Sequence, residues 1–396
     1  MVLHAPPRHP ALTRYLIRPA RGSASHPFRR LFSRVPLLTT CVVVAAFTGW
    51  SQASPSLIRF MGHAAHCTTV SVSNGFARVV TLPGSRPLRW TASVQVSTRG
   101  RTQTIFGPFS LYDEWQVDVS PHLNWIAYSD WSSRVHLVNL DTCRSQVLGT
   151  GAMPQFSFDG RYLAFLRPRR LGDSIEVFDT IRRRLAEVPP SNATDGPYSW
   201  AHRSDRLAFE FLTGGALRSH RHPRWLAVAS MSGRWRVHRL WIPSRGGYSA
   251  ATWSWDDRSL VYWSWPPSYP VRRLGLTELA VSGGGHLVLG STRACKCEYI
   301  PAPVASGRQT LWPQTSEGQF LLALRRGSSR AVQFHEHPSA TPTVLSVNPL
   351  TGTALIAWQA QGPRGFLHGV AVWHRGAGSA RSVGRGVAAF WVHGGP

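Results

Sequence analysis

One phrase recurs along this chain: an apolar or aromatic residue, a small or polar residue, a turn, then a short apolar run. It reads VSPHLNWIAY from Val119, FSFDGRYLAF from Phe156, WAHRSDRLAF from Trp200 and WSWDDRSLVY from Trp253, with looser copies starting at Trp312 and Val347. Successive starts lie 37, 44, 53, 59 and 35 residues apart, close to the roughly 40 to 50 residues of a unit that is one four-stranded blade. Self-similarity at such a period means stacked modules that cannot bury their apolar faces alone. The expectation is an all-β chain folded as a β-propeller.

Within the clearest copy, Phe156 and Ser157 end an inner strand, Asp159 and Gly160 supply the positive φ values of a tight turn, and Tyr162 to Leu166 form the next strand. The runs Leu163-Ala164-Phe165, Leu207-Ala208-Phe209 and Leu260-Val261-Tyr262 are continuously apolar, as expected of strands covered on both faces. Third strands follow at Val135 to Leu140 and Ile175 to Asp179, and fourth strands at Ser145 to Leu148 and Leu185 to Val188. The segment Pro154-Gln155-Phe156-Ser157-Phe158-Asp159-Gly160-Arg161-Tyr162-Leu163-Ala164-Phe165 resembles the repeat of TolB-like propellers. That resemblance runs from about Glu114 to Trp391 and fades in the last two copies, where the Asp-Gly turn becomes Ser316-Glu317-Gly318 and Thr351-Gly352. It implies a fold and an interaction platform, not an activity. The chain departs from TolB in residues 54 to 113, which read as strands and loops where TolB has an α/β domain.

Six repeats are visible, and one apolar strand, Val387 to Val392, is left over after them. Upstream, Cys67 to Ser73, Phe76 to Leu82 and Ser93 to Phe106 read as strands without a repeat phrase. An open ring would expose two sheet edges, so the leftover strand is expected to join these upstream strands in a composite closing blade. That makes seven blades the favoured count and six the alternative.

Residues 1 to 53 differ in kind. They hold seven arginines and no acid, and Val35 to Trp50 is an uncharged, mostly apolar stretch followed by Ser51-Gln52-Ala53. A basic region, an apolar core and small residues mark a secretory signal with cleavage after Ala53. An uncleaved anchor competes, and residues 35–50 would then be a membrane tether. Arg29-Arg30-Leu31-Phe32 resembles the twin-arginine export motif. The expected division is a leader over 1–53 and a propeller over 54–396, with 54–113 serving the closing blade, in an extracytoplasmic setting: periplasmic, secreted or membrane-anchored.

Export makes disulfides admissible, and Cys67, Cys143, Cys295 and Cys297 remain after the leader. Cys295 and Cys297 are too close for an unstrained mutual bond, so one of them is expected to pair with Cys67 or Cys143. A soft-metal site of His63, His66, Cys67 and Cys295-Lys296-Cys297 is the rival, and no metal or other cofactor is assigned. His335-Glu336-His337 and His220-Arg221-His222 read as exposed loops.

The chain carries 44 basic residues against 19 acidic, a net charge of +25, and every basic residue but Lys296 is arginine. Such a surface attracts anionic polymers and lipid headgroups. Candidate contacts are Arg167, Arg169 and Arg170, the run Arg182, Arg183, Arg184, and Arg325-Arg326, set against the plain reading that scattered arginines are a solvated surface. Of the 17 tryptophans, Trp125, Trp200, Trp253 and Trp312 fall where blades pack. Trp131, Trp263 and Trp265 follow second strands and could reach a loop surface to stack on a ligand.

Enzyme readings find no scaffold: there is no G-x-S-x-G elbow and no P-loop, and most carboxylates sit at turns or strand ends. The expected function is a monomeric binding scaffold for a protein or an anionic envelope component. A channel-face hydrolase or lyase acting on carbohydrate or ester is one alternative. Arginine-mediated binding of an anionic polymer is another, with nucleic acid ranked behind the rest.

Overall fold

The recurring phrase builds one local device several times over. In the computed structural model, Ser120 N–H donates to the Trp125 carbonyl at 2.9 Å, Ser157 to Tyr162 at 2.7 Å and Ser254 to Ser259 at 2.8 Å. Each serine hydroxyl accepts the returning N–H, from Trp125, Tyr162 and Ser259, at 2.9 Å. The same hydroxyls donate to Asn124, Asp159 and Asp256 at 2.7, 2.6 and 2.8 Å. The fourth residue of the turn is left-handed every time: Leu123 at φ 55°, Gly160 at 71° and Asp257 at 58°. The sequence expectation that Asp159 also takes positive φ is not met: only Gly160 does, because the Asp159 carboxylate instead accepts from Ser157 Oγ and from Arg161 N–H and fixes the turn from its third position.

The structure describes most of residues 66–393. Residues 1–65 and 394–396 and several connections, the longest being 213–223, lie outside the described residues, and over much of 303–347 only the backbone is described. The leader, its cleavage site and the tether at 35–50 therefore lie outside the described residues. No helix among the described residues is long and apolar enough to cross a membrane.

The chain opens with β1 His66–Cys67, β2 Asn74–Thr81, β3 Trp90–Thr98 and β4 Arg101–Leu111. Four-stranded meanders follow: β5 Val117–Val119, β6 Trp125–Ser129, β7 Arg134–Asn139 and β8 Arg144–Thr150; then β9 Ala152–Phe156, β10 Tyr162–Arg169, β11 Gly172–Asp179 and β12 Arg184–Glu187. Next come β13 Tyr198–Trp200, β14 Arg206–Leu212, β15 Arg224–Ser232 and β16 Arg234–Leu240. The following sheet holds β17 Gly247–Tyr248 and β18 Thr252–Trp253, both paired with β19 Ser259–Trp265, then β20 Arg273–Ala280 and β21 His286–Arg293. The last repeats are β22 Val304–Ser306, β23 Gln309–Gln314, β24 Phe320–Arg325 and β25 Ser328–Phe334, then β26 Thr341–Val347, β27 Ala354–Gly362, β28 Gly365–Trp373 and β29 Ser379–Arg385. The final strand is β30 Ala388–His393.

Closure is composite. β30 pairs antiparallel with β2 from Asn74↔His393 to Val79↔Ala388, giving the order β1-β4-β3-β2-β30. The inner strands then follow one another round the ring: β5 beside β9, β9 beside β13, β13 beside β18, β18 beside β22, β22 beside β26, β26 beside β30 and β30 beside β5. Seven separate blades are nevertheless not what the hydrogen bonding gives. The described strands form six sheets, the alternative count, because β25 and β29 pair in parallel over Gln333–Phe334 and Ser379–Ala380 and merge two meanders into one eight-stranded sheet.

The core lies between sheets. One apolar cluster joins Val79, Val94 and Leu111 of the closing sheet to Val119 and Ile126 of the next. Others join Tyr162 and Ile175 to Leu207 and Phe209, and Leu226 and Val228 to Trp253 and Leu260. The apolar triplets at 163–165, 207–209 and 260–262 are all buried, since each strand is covered by two neighbouring sheets.

Candidate functional site

The inner strands are stitched side chain to backbone. Trp200 Nε1 donates to the Gln155 carbonyl and Trp253 Nε1 to the Ser199 carbonyl, both at 3.0 Å, so each indole bridges to the preceding sheet. Tyr198 OH donates to the Met153 and Ala164 carbonyls. Asp257 accepts from His202 N–H at 2.8 Å, Arg203 N–H at 2.9 Å and Ser204 Oγ at 3.0 Å, again across a sheet boundary. Beside it, Arg206 donates to the Asp257 carbonyl at 2.7 Å and lies 4.7 Å over the Trp253 ring.

Asp118, on β5, accepts from Phe156 N–H on the neighbouring inner strand at 2.6 Å and from Val119 N–H at 2.8 Å. Burial pushes its carboxyl up to about 7 against the lowering effect of those two donors. Composition and spacing gave no sign of it: Asp118 precedes the phrase and looks like any strand acid. A carboxyl held up to about 7 on an inner strand is placed to exchange a proton near neutrality.

At the β6–β7 turn, Asp130 is buried and accepts from Ser132 and Arg134 N–H, from Arg134 Nε and from His136 Nε2 at 2.9 Å. Despite the cost of burial, these donors hold its carboxyl below the usual range. The His136 ring stacks on Tyr128, 4.8 Å between centroids. Among the described residues, no three His, Cys, Asp or Glu side chains converge as metal ligands.

The candidate contacts from the sequence do not form one site. Arg167 donates to Glu176 at 2.8 Å, and Arg169 to Glu187 at 2.7 Å and to Ser174 at 3.1 Å. Glu176 is buried two positions diagonally from Arg167 across the β10–β11 pair, so these arginines answer internal carboxylates. Arg170 lies outside the described residues. Arg182, Arg183 and Arg184 sit at the β11–β12 turn, the opposite end of the same sheet from Arg167 and Arg169, and all three are exposed. Arg182 N–H is held by Asp179 Oδ1 at 2.9 Å, and Arg183 takes φ 55°.

Trp131, at the β6–β7 turn, is 50% exposed. Trp263 cannot reach a surface: it is 1% exposed, because β19 lies between paired strands with sheets on both faces. Trp265 ends β19 and only its backbone is described. The cysteine pairing also differs from the expectation, since Cys67 is bonded to Cys143. The physical reason is the composite closure, which sets β1 at the outer edge of one sheet beside the β7–β8 turn of the next. Cys295 and Cys297 lie outside the described residues, as do His63, His220, His222, His335 and His337.

No protein-family model matches the sequence, and no curated protein aligns with it. Likeness appears among solved structures. The β-propeller domain of the Trilobed protease from Pyrococcus furiosus superposes at TM-score 0.53 with 11% identity, covering 81% of this chain and 98% of that one. The fold is a β-propeller. A Mycobacterium tuberculosis puromycin-hydrolyzing peptidase matches at 0.54 with 14% identity, over 81% of this chain and 56% of its own. TolB from Acinetobacter baumannii is similar at 0.44 with 15% identity, and the chain spans 66% of its length. The Trilobed protease domain is described as having an open velcro topology, whereas here β2 and β30 are hydrogen-bonded.

Proposed function

We propose that this propeller is an extracytoplasmic, non-catalytic scaffold that binds a protein or an anionic envelope component at one end of its ring. One observation carries the reading: among the described residues, seven acids that an active site could draw on are engaged by the frame. Asp130, Asp159, Asp179, Asp256 and Asp257 accept backbone N–H groups at turns, and Glu176 and Glu187 accept from arginines. The surface beside them offers cationic and apolar groups for recognition, among them Arg182, Arg183 and Ile181. The Cys67–Cys143 bond supports an oxidising compartment. Trapping thiols in intact cells tests the placement: recovery of Cys67 and Cys143 as free thiols would contradict it. Turnover by the purified full chain against ester and oligosaccharide panels would contradict the non-catalytic reading.

Asp118 favours one second reading, a hydrolase or lyase at the channel face, since a carboxyl held near 7 can both take and give a proton at neutral pH. In that case Asp118→Asn abolishes any turnover found while leaving the chain folded.

A further inference from the structure

Two turns in neighbouring sheets share one geometry and carry different cargo. At β7–β8, Asn139 Oδ1 accepts Thr142 N–H at 2.8 Å and Cys143 takes φ 55°. At β11–β12, Asp179 Oδ1 accepts Ile181 N–H at 3.0 Å and Arg182 N–H at 2.9 Å, and Arg183 takes φ 55°. Both turns are tied to their sheet by the residue after the acceptor, Leu140 N–H to the Asn124 carbonyl and Thr180 N–H to the Arg161 carbonyl. Where the first turn places Asp141, the second places Ile181, which is 73% exposed. The turn does not require an isoleucine, and burial does not repay it.

The surroundings of Ile181 are consistent in character. Arg182, Arg183 and Arg184 follow directly, all exposed, and no ion pair to them is found among the described residues. Arg161, beside the same turn, already faces Asp179 at 3.6 Å. Leu185, two residues beyond Arg183, and Phe158, on the adjoining turn of the same sheet, are also exposed. Exposed apolar groups at a turn with guanidinium groups beside them match the layering of a bilayer surface, where chains lie beneath phosphates. A protein partner would instead need a pocket for the tip.

We propose that the β11–β12 hairpin docks on an anionic lipid surface, with Ile181 entering below the headgroups and Arg182, Arg183 and Arg184 on phosphates. This rests on the scaffold reading and names its partner. The test uses the full chain carrying an environment-sensitive fluorophore on Ile181→Cys, with Cys41, Cys295 and Cys297 replaced by serine, titrated with phosphatidylcholine vesicles with and without phosphatidylglycerol. The reporter is local, so the apolar run at 35–50 cannot by itself produce the signal. A blue shift only with phosphatidylglycerol is expected, and Arg182→Gln/Arg183→Asn/Arg184→Gln on the same background raises the lipid needed on the order of a hundredfold, at roughly fivefold per arginine. A fluorophore on Val288→Cys, at a residue 68% exposed with no arginine beside it in sequence, stays in water. No shift at 181, a shift that survives loss of the arginines, or an equal shift at 288 overturns the proposal. Protection of the 181 fluorophore by a protein partner, without lipid, overturns the bilayer and leaves the scaffold standing. Catalytic turnover would instead undo the scaffold reading alone.

Discussion

Removing the Cys67–Cys143 bond should cost the ring much of its margin. The two residues are 76 apart in sequence, and in the chain-entropy account a loop of that length constrains the unfolded state by about 4.5 kcal/mol. A domain of ordinary stability has only about 5 to 15 kcal/mol in total. The bond also holds a strand that has little else: β1 is two residues long and pairs with β4 only at His66↔Gly107 and Cys67↔Phe106. The perturbation is Cys67→Ser with Cys143→Ser, compared by urea unfolding with the oxidised parent and with the parent in reductant. With a slope of about 3 kcal/mol per molar for a chain of this size, the midpoint should fall by about 1.5 M in both. The reasoning is refuted if neither moves the midpoint, or if peptide mapping joins Cys67 or Cys143 to Cys295 or Cys297.

Three further outcomes are expected. Asp118 keeps its proton to about pH 7 in the fold but loses it near 4 when unfolded; the native state therefore binds more protons in that window, stability falls as pH rises through it by as much as about 4 kcal/mol, and thermal melts of Asp118→Asn at pH 5 and pH 8 should show a smaller fall than the parent. Trp253→Phe leaves the Ser199 carbonyl without its donor and a gap at a sheet boundary, for a loss of about 2 to 3 kcal/mol in urea unfolding; a loss under about 0.5 kcal/mol would deny the indole its stitching role. Ser157→Ala removes the hydroxyl that Tyr162 N–H and Asp159 share and should cost about 1 to 2 kcal/mol by the same measurement, with Ser254→Ala alike because the turn is the same.

The repeat, the buried triplets and the composite closure could all be read from the sequence because each has a short-range signature. A continuously apolar run needs two covering faces, and an unmatched strand at each end of the chain needs a partner. The sheet count could not be read: it turns on a two-residue parallel pairing between β25 and β29, which no periodicity encodes. Trp263 failed for a related reason. Its place at the end of an apolar run looked like an approach to the loop, but only burial by neighbouring sheets decides how far along a strand the covered zone extends. Arg167 and Arg169 looked like free cations because Glu176 lies across a hairpin instead of three or four residues away, so the register had to be known first.

Repetition offers its own control for separating frame from function. Where equivalent positions hold equivalent chemistry, as Ser120, Ser157 and Ser254 do, the residue is explained by the turn it closes. Leu123, Gly160 and Asp257 show the converse tolerance, since one left-handed position accepts three unlike residues when the hydrogen bonds around it are kept. A position that departs from its equivalents without any gain in burial or bonding is then unexplained by folding. Ile181 meets that condition against Asp141, and Arg182 against Thr142. Cys143 and Arg183 also differ at one shared backbone conformation, but there the departure in the first turn is accounted for by the bond to Cys67. Arg184 matches Arg144 of the first turn and needs no further account; Ile181, Arg182 and Arg183 have no such internal bond among the described residues, and these are the departures that the proposed lipid contact would explain.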